Sequence, residues 1–273
     1  MMRRLRCMLL LCLAWPVSAA SAQPAAARDS IRTMIADAPV FGMFRSNYFV
    51  TGIPLDRPVG SRTADAAFRI SIYLKCWQMS ASTTLLFTYS QKSFWNIYEQ
   101  SAPFRDTNFN PGLWVVWPVV RGDGLRGVLL GGVEHESNGR DGTASRAWNY
   151  ATVSYTCFAV PRWQFAARIW YGIYDREGNP NWFRYRGYGQ LSAVYTSRNG
   201  RWEAALVVNP TGRFTSFNLT GECYWRLSRK PGSLPCLFVQ AYSGYAESMI
   251  DYDRYTAMLR VGIAIKPFGL NFY

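Results

Sequence analysis

Between residues 254 and 266 every second side chain is apolar. Tyr255, Ala257, Leu259, Val261, Ile263 and Ile265 share one face of an extended chain, and Arg254, Thr256, Met258, Arg260, Gly262, Ala264 and Lys266 share the other. A period of two belongs to a β-strand whose two faces meet unlike surroundings. Similar stretches recur from about Ala67 onward, separated by clusters of Gly, Pro, Asn and Asp, the mark of an all-β antiparallel chain. Past the first two dozen residues no run of about 18 apolar residues exists to cross a bilayer as a helix. The evenly spread 11 Trp, 17 Tyr and 16 Phe exclude a disordered chain.

Alternation by itself suits a soluble sandwich as well as a barrel in lipid. Three features favour the transmembrane β-barrel: stretches of about 9–11 residues that match a tilted crossing, Trp and Tyr near the stretch ends, and an aromatic terminus, Asn271-Phe272-Tyr273. Closing the sheet satisfies every backbone hydrogen bond in lipid. At roughly 17 residues per strand and connection, residues 66–273 hold about twelve strands. Residues 23–65, with Arg45-Ser46-Asn47-Tyr48-Phe49-Val50, are expected to pack on or within that barrel. No second domain or internal repeat is visible.

The first residues read as a cleaved signal peptide, residues 1–22: Arg3, Arg4 and Arg6, an apolar run from Met8 to Trp15, then Ala20-Ser21-Ala22 as the cleavage site. Export implies an oxidising compartment for Cys76, Cys157, Cys223 and Cys236. Cys223 and Cys236 flank a turn-rich segment and face each other across a hairpin as a disulfide, or are two small apolar residues. The chain has 30 Lys and Arg against 17 Asp and Glu, and only three of the basic residues leave with the signal. In an exported chain this excess excludes nucleic acid as a partner and points to anionic lipid head groups.

The single histidine lies in Gly132-Val133-Glu134-His135-Glu136-Ser137-Asn138-Gly139-Arg140. In a strand His135 and Ser137 point the same way as Val133, Gly131 and Leu129, onto the lipid side, with Glu134 and Glu136 toward the lumen. Polar groups facing hydrocarbon are costly and are functional candidates, and an imidazole beside a serine is the pair that makes a nucleophile. The plain alternative is a polar strand end contacting head groups. Asn149 lies in phase with Ala147, Ala151, Val153 and Tyr155 on the same face of the next stretch. A hairpin brings it beside His135, where its amide oxygen fixes the imidazole tautomer.

These segments, together with Tyr89-Ser90-Gln91-Lys92-Ser93-Phe94-Trp95, Ser101-Ala102-Pro103-Phe104-Arg105-Asp106-Thr107-Asn108-Phe109, Ser145-Arg146-Ala147-Trp148-Asn149 and Tyr242-Ser243-Gly244-Tyr245-Ala246-Glu247-Ser248-Met249-Ile250-Asp251-Tyr252, resemble the outer-membrane phospholipase A family. The resemblance covers the mature barrel. It implies a twelve-stranded barrel of a Gram-negative outer membrane with its catalytic groups on the outside. It also implies calcium-dependent hydrolysis of acyl esters of glycerophospholipids and lysophospholipids (phospholipase A1 and A2 activity) by a homodimer.

The family's histidine, nucleophile and orienting asparagine fall on His135, Ser137 and Asn149. Its calcium ligands fall on the Ser101 side chain, the Arg140 carbonyl and the Ser145 hydroxyl, with about one Ca2+ per monomer at the dimer interface. Gln91 matches an interface glutamine; the alternative is a lumen-facing amide. Asp106, Arg105 and Asn108 read as a loop-ordering cluster. Gly178, preceded by Glu177, stands where relatives can carry an acid, and Ala102 replaces a usual serine. The other functional classes considered are a lipid A deacylase and a passive pore or structural barrel.

Overall fold

The structure, a computed structural model, describes residues 37–266 apart from 81, 122–123, 159, 175–177 and 229–234. The expected signal segment, the aromatic terminus and Glu177 lie outside the described residues. The strands are β1 (Phe41–Met43), β2 (Asn47–Pro54), β3 (Asp65–Gln78), β4 (Thr84–Trp95), β5 (Phe104–Arg121), β6 (Gly124–Ser137) and β7 (Ala147–Cys157). They continue as β8 (Trp163–Tyr174), β9 (Gly189–Thr196), β10 (Trp202–Pro210), β11 (Phe217–Arg226), β12 (Cys236–Gly244) and β13 (Thr256–Ile265), with a short helix, α1 (Trp182–Arg186), before β9.

Strands β2 to β13 form a closed antiparallel wall of twelve, each paired with its sequence neighbours. The seam joins β13 to β2 from Met258 opposite Pro54 to Ile265 opposite Asn47. No helix among the described residues is long and apolar enough to cross a membrane; the wall itself supplies the crossings.

The barrel begins earlier than the sequence reading placed it. Residues 66–273 contain eleven of the wall strands, and the twelfth is β2, inside the segment expected to pack on or in the barrel. Its alternation is concealed because the lumen here is itself apolar: Tyr48 and Val50 point inward onto Ala67, Phe94, Tyr224 and Phe238. Strand β1 continues the line of β2 along β3. Met43 pairs with Ile72 and Tyr48 with Arg69, and Phe44 and Ser46 turn inward between them.

The last strand is divided as its pattern requires. Leu259, Val261, Ile263 and Ile265 are exposed on the outer wall, while Arg260, Ala264 and Lys266 are buried in the lumen. Arg260 is 0% exposed. Its Nε and Nη2 each lie 2.8 Å from an Asp65 oxygen, and Nη1 lies 2.5 Å from Glu247 Oε1. Lys92 and Arg105 add further charge contacts to Glu247 and Asp65. This cluster draws the 245–255 loop into the barrel mouth, helped by Asp106 and Asn108. Asp106 Oδ2 accepts from the Ile250 N–H at 3.0 Å, and Asn108 Oδ1 from the Met249 N–H at 3.2 Å.

Connections 55–64, 96–103, 138–146, 211–216 and 245–255 crowd one end of the wall, the loop end, and strands β3, β5, β7 and β9 run to the other, the short-turn end, where 197–201 links β9 to β10. Among the described residues Cys76, Cys157, Cys223 and Cys236 are free. Cys223 sits opposite Val239 and Cys236 opposite Arg226, and the two lie on opposite faces of the wall, Cys236 being buried inward beside Phe238. The hairpin disulfide is excluded by strand parity.

Burial pushes the Glu247 carboxyl up, but Arg260, Lys92 and Arg105 outweigh it and hold the group below its ordinary value. A depressed carboxylate contributes stability above its unfolded value of about 4.3 and loses it as pH falls through the folded value. Acid titration should therefore loosen the 245–255 loop only below about pH 4, read by amide hydrogen exchange. Arg260→Ala leaves the buried Asp65 and Glu247 carboxylates with only the more distant Arg105 and Lys92. It should cost about 3–5 kcal/mol in denaturant unfolding followed by circular dichroism.

Candidate active site

β6 carries His135 and Ser137 at its loop end, and β7 returns with Asn149. The register places His135 opposite Asn149 and Ser137 opposite Ala147. His135 Nδ1 lies 2.9 Å from Asn149 Oδ1. An amide oxygen can only accept, so the proton sits on Nδ1 and Nε2 is left with its lone pair. Among the described residues no hydrogen bond joins the Ser137 hydroxyl to the imidazole; the two share a strand face two residues apart. The face is the outer one. Leu129, Val133, Asn149, Ala151 and Val153 are exposed, and Trp148, Tyr150 and Thr152 are buried inward.

The inner face of β6 is anchored residue by residue. Glu134 is paired with Arg168, whose Nε donates to Thr152 Oγ1 at 3.0 Å. Glu136 accepts from Trp148 Nε1 at 2.9 Å and faces Arg186 of α1 at 3.5 Å. Trp148 stacks on Tyr150 at 3.7 Å between centroids. Gly172 of β8 makes room for that ring: a Cβ there would lie 2.6 Å from Tyr150 Cβ and 2.3 Å from the Asn149 carbonyl oxygen.

Two asparagines complete the support, and sequence reading missed both roles. The ladder between β5 and β6 pairs Phe109 with Ser137 and Gly112 with Glu134 but is broken between them. Pro111 falls opposite His135 there and has no N–H to give. Asn110 supplies the donor instead. Its Nδ2 reaches the His135 carbonyl at 2.9 Å and the Tyr150 hydroxyl at 3.1 Å. That carbonyl therefore points toward β5, which makes His135–Asn149 a non-hydrogen-bonded cross-strand pair, the kind whose side chains lie closest.

Asn138 organises the 138–146 loop. Its Oδ1 accepts from the Arg146 N–H at 2.9 Å and the Arg140 N–H at 3.4 Å, and its Nδ2 donates to the Ala144 carbonyl at 2.9 Å. The signal for Asn110 was the proline next to it; for Asn138 no sequence signal distinguished it from any loop amide.

Of the expected metal ligands, Arg140 and Ser145 belong to this loop, and Ser101 lies in the 96–103 loop. The Ser145 N–H donates to the Gly142 carbonyl at 3.0 Å, closing a single 3-10 turn over Gly142–Ala144. Ser101 is exposed, with φ of 67°. Among the described residues no three His, Cys, Asp or Glu cluster as a metal site. The donors on offer are neutral oxygens, a hydroxyl and a carbonyl on one loop and a hydroxyl on another. Such a set fits a hard cation that completes its shell with water or a second chain.

Below His135 and Asn149 an apolar groove of about 610 Å³ runs along the outer wall, bordered by Phe87, Leu113, Val133, Tyr171 and Ile173. The fold and the site together define an outer-membrane-type barrel with an imidazole, a hydroxyl and an amide on its lipid side.

Comparison with known proteins narrows this. The phospholipase A1 family model matches residues 51–265, and the chain belongs to that family of phospholipase hydrolases. It is 30% identical to phospholipase A1 of Escherichia coli strain K12 over 214 residues, 75% of this chain and 71% of the relative. It is 29% identical to phospholipase A1 of Proteus vulgaris over 208 residues, 74% and 69% of the two chains. The fold matches the Salmonella typhi outer membrane phospholipase dimer with bound calcium at a TM-score of 0.75 and 24% identity, covering 88% of this chain and 98% of that one. It matches outer membrane phospholipase A of Escherichia coli at 0.76 and 23%, covering 87% and 98%.

Asn110→Ala strands the His135 carbonyl beside a proline. It should destabilise the β5–β6 contact by about 1–3 kcal/mol, seen as faster amide exchange over residues 133–137 with the rest of the barrel unchanged.

Proposed function

We propose that this phospholipase cleaves acyl esters of glycerophospholipids and lysophospholipids, at both acyl positions, with Ser137 as nucleophile, His135 as base and Asn149 as the group that orients the imidazole. The observation that carries the reading is the 2.9 Å contact between His135 Nδ1 and Asn149 Oδ1 on the lipid side of the wall. Nε2 takes the Ser137 proton as the hydroxyl oxygen attacks the ester carbonyl, then returns it to the leaving glycerol oxygen. Water attacks the acyl-serine by the same base. The polar loop end suits the head group, and the groove past Val133 and Ile173 suits an acyl chain. The backbone N–H near Gly139 is the candidate oxyanion donor.

Asparagine in place of a carboxylate keeps a full charge out of hydrocarbon, at the expense of weaker stabilisation of the imidazolium. A cation held by Ser101, the Arg140 carbonyl and Ser145 would, when bound, supply positive charge near the ester carbonyl. Calcium is the ion we assign, about one per monomer.

We assign a homodimer as the active state. Gln91 lies on the outer wall with Phe87, not in the lumen, in a line of polar groups. Its Oε1 accepts from the Tyr89 hydroxyl at 2.9 Å, its Nε2 donates to Ser93 Oγ at 3.2 Å, and Ser93 meets Thr107 at 3.1 Å. Such a strip is costly against lipid and suits a second copy. The reading places the protein in a Gram-negative outer membrane, reached through a cleaved signal peptide. The charged cluster around Arg260, which holds the 245–255 loop in the barrel mouth, supports an enzyme over an open pore.

Refolded protein should release fatty acid from phosphatidylcholine micelles with calcium, not with chelator. Ser137→Ala should abolish release, and retention of wild-type turnover by that variant would sink the assignment. Asn149→Ala should lower kcat about ten- to hundredfold with little change in KM, the worth of one hydrogen bond to a charged group. No release from any phospholipid, with deacylation of lipid A, would move the protein to the alternative substrate.

A further inference from the structure

The short-turn end of the barrel carries a feature that acyl-ester hydrolysis does not use. Three arginine–tryptophan neighbours, Arg162-Trp163, Arg201-Trp202 and Trp225-Arg226, stand at the ends of β8, β10 and β11. The register gathers them into one patch. Trp163 pairs with Tyr195 of β9 and Trp202 with Trp225, the Thr196 N–H donates to the Arg162 carbonyl at 2.8 Å, and the Arg226 N–H to the Arg201 carbonyl at 2.9 Å. Trp163 stacks on Phe165 with centroids 5.6 Å apart and rings 5° from parallel. Trp202 stacks on Trp225 at 5.3 Å and 4°. These four rings are exposed on the outer wall.

Arg162 and Arg198 are exposed beside them. The Arg201 guanidinium lies 5.8 Å over the Trp225 ring, and its Nε is buried without a hydrogen-bond partner. Carboxylates do not answer this charge. Among the described residues Glu203, the nearest in sequence, is paired with Lys266; Asp123, in the β5–β6 connection, lies outside the described residues. The loop end differs: there Asp56, Glu136 and Asp251 pair with Arg57, Arg186 and Arg254.

Tryptophan at a wall border marks the depth of the lipid interface. Arginine is the side chain whose fork matches a phosphate. We propose that the patch formed by Arg162, Arg198 and Arg201 beside Trp163, Trp202 and Trp225 binds the phosphodiester head group of an anionic glycerophospholipid from the leaflet at the short-turn end. It rests on the barrel and its orientation in the membrane, and not on the hydrolytic assignment. The lipid's phosphate meets the guanidinium groups, and its glycerol and first methylenes lie on the stacked rings. The lipid bound here is a resident of the wall and not the substrate, because the patch stands at the opposite end from His135.

The test uses full-length Ser137→Ala protein, so that bound lipid cannot be consumed, folded in phosphatidylcholine micelles and titrated with phosphatidylglycerol. Retained lipid is counted by native mass spectrometry. Phosphatidylglycerol should be preferred by at least about tenfold, since each basic group near an anionic surface is worth about fivefold. Adding Arg162→Gln, Arg198→Gln and Arg201→Gln together should remove the preference, while circular dichroism stays that of the folded barrel. The same three changes in the otherwise wild-type chain should leave acyl release in neutral micelles unchanged. A control with Arg62→Gln, Arg184→Gln and Arg213→Gln at the loop end should keep the preference. A preference that survives the first set, or is lost only in the control, overturns the proposal. Failure of acyl release alone would touch the hydrolytic reading and leave this one standing.

Discussion

In hydrocarbon no water is present to take an unpaired N–H or carbonyl, so a sheet there must close on itself. The β13–β2 seam makes this closure, and much else follows from it. A closed wall has two faces and no edge. One face must suit lipid, the other is free to hold charge, and the alternation of Leu259, Arg260 and Val261 is that division written into three residues. The lumen can then hold the Arg260, Asp65 and Glu247 cluster at a place where desolvated charges balance each other, and the outer wall can carry polar groups only where something justifies their cost.

That cost is what made the site legible. His135 and Ser137 stand out because strand parity sends them to the lipid side, and Asn149 because it shares that face of the next strand. The register that sets His135 against Asn149 is the one the hairpin requires. The strand number was readable from segment length, yet the first wall strand was not. Tyr48 and Val50 face an apolar part of the lumen, so the inside and outside of β2 carry similar residues and the period of two fades. A disulfide between Cys223 and Cys236 looked feasible from loop chemistry and fails on parity, which depends on the register of β11 against β12, and the sequence alone does not reveal it.

Support around the site was less visible because it acts through the backbone. Pro111 creates a missing donor opposite His135, and Asn110 on the lumen side fills it through the wall. Asn110 acts on the His135 carbonyl and not on its side chain. The lumen thus serves the outer surface: Glu134 and Glu136, alternating with His135 and Ser137, fix the strand from inside while the side chains between them face lipid. A reading confined to polar residues on the outer face finds the groups that would react and overlooks the ones that hold them still.

The 14-residue separation between His135 and Asn149 has a bearing on assembly. Contacts close in sequence form before distant ones because less chain entropy is lost in making them. The β6–β7 hairpin has only the 138–146 loop to close, whereas the seam must bring β2 to β13 from the two ends of the wall. The imidazole and its amide partner are thereby brought together by a pairing of sequence neighbours, one that does not wait on the seam. The hairpin brings the pair together, and the strands on either side of it, β5 and β8, brace what it has assembled.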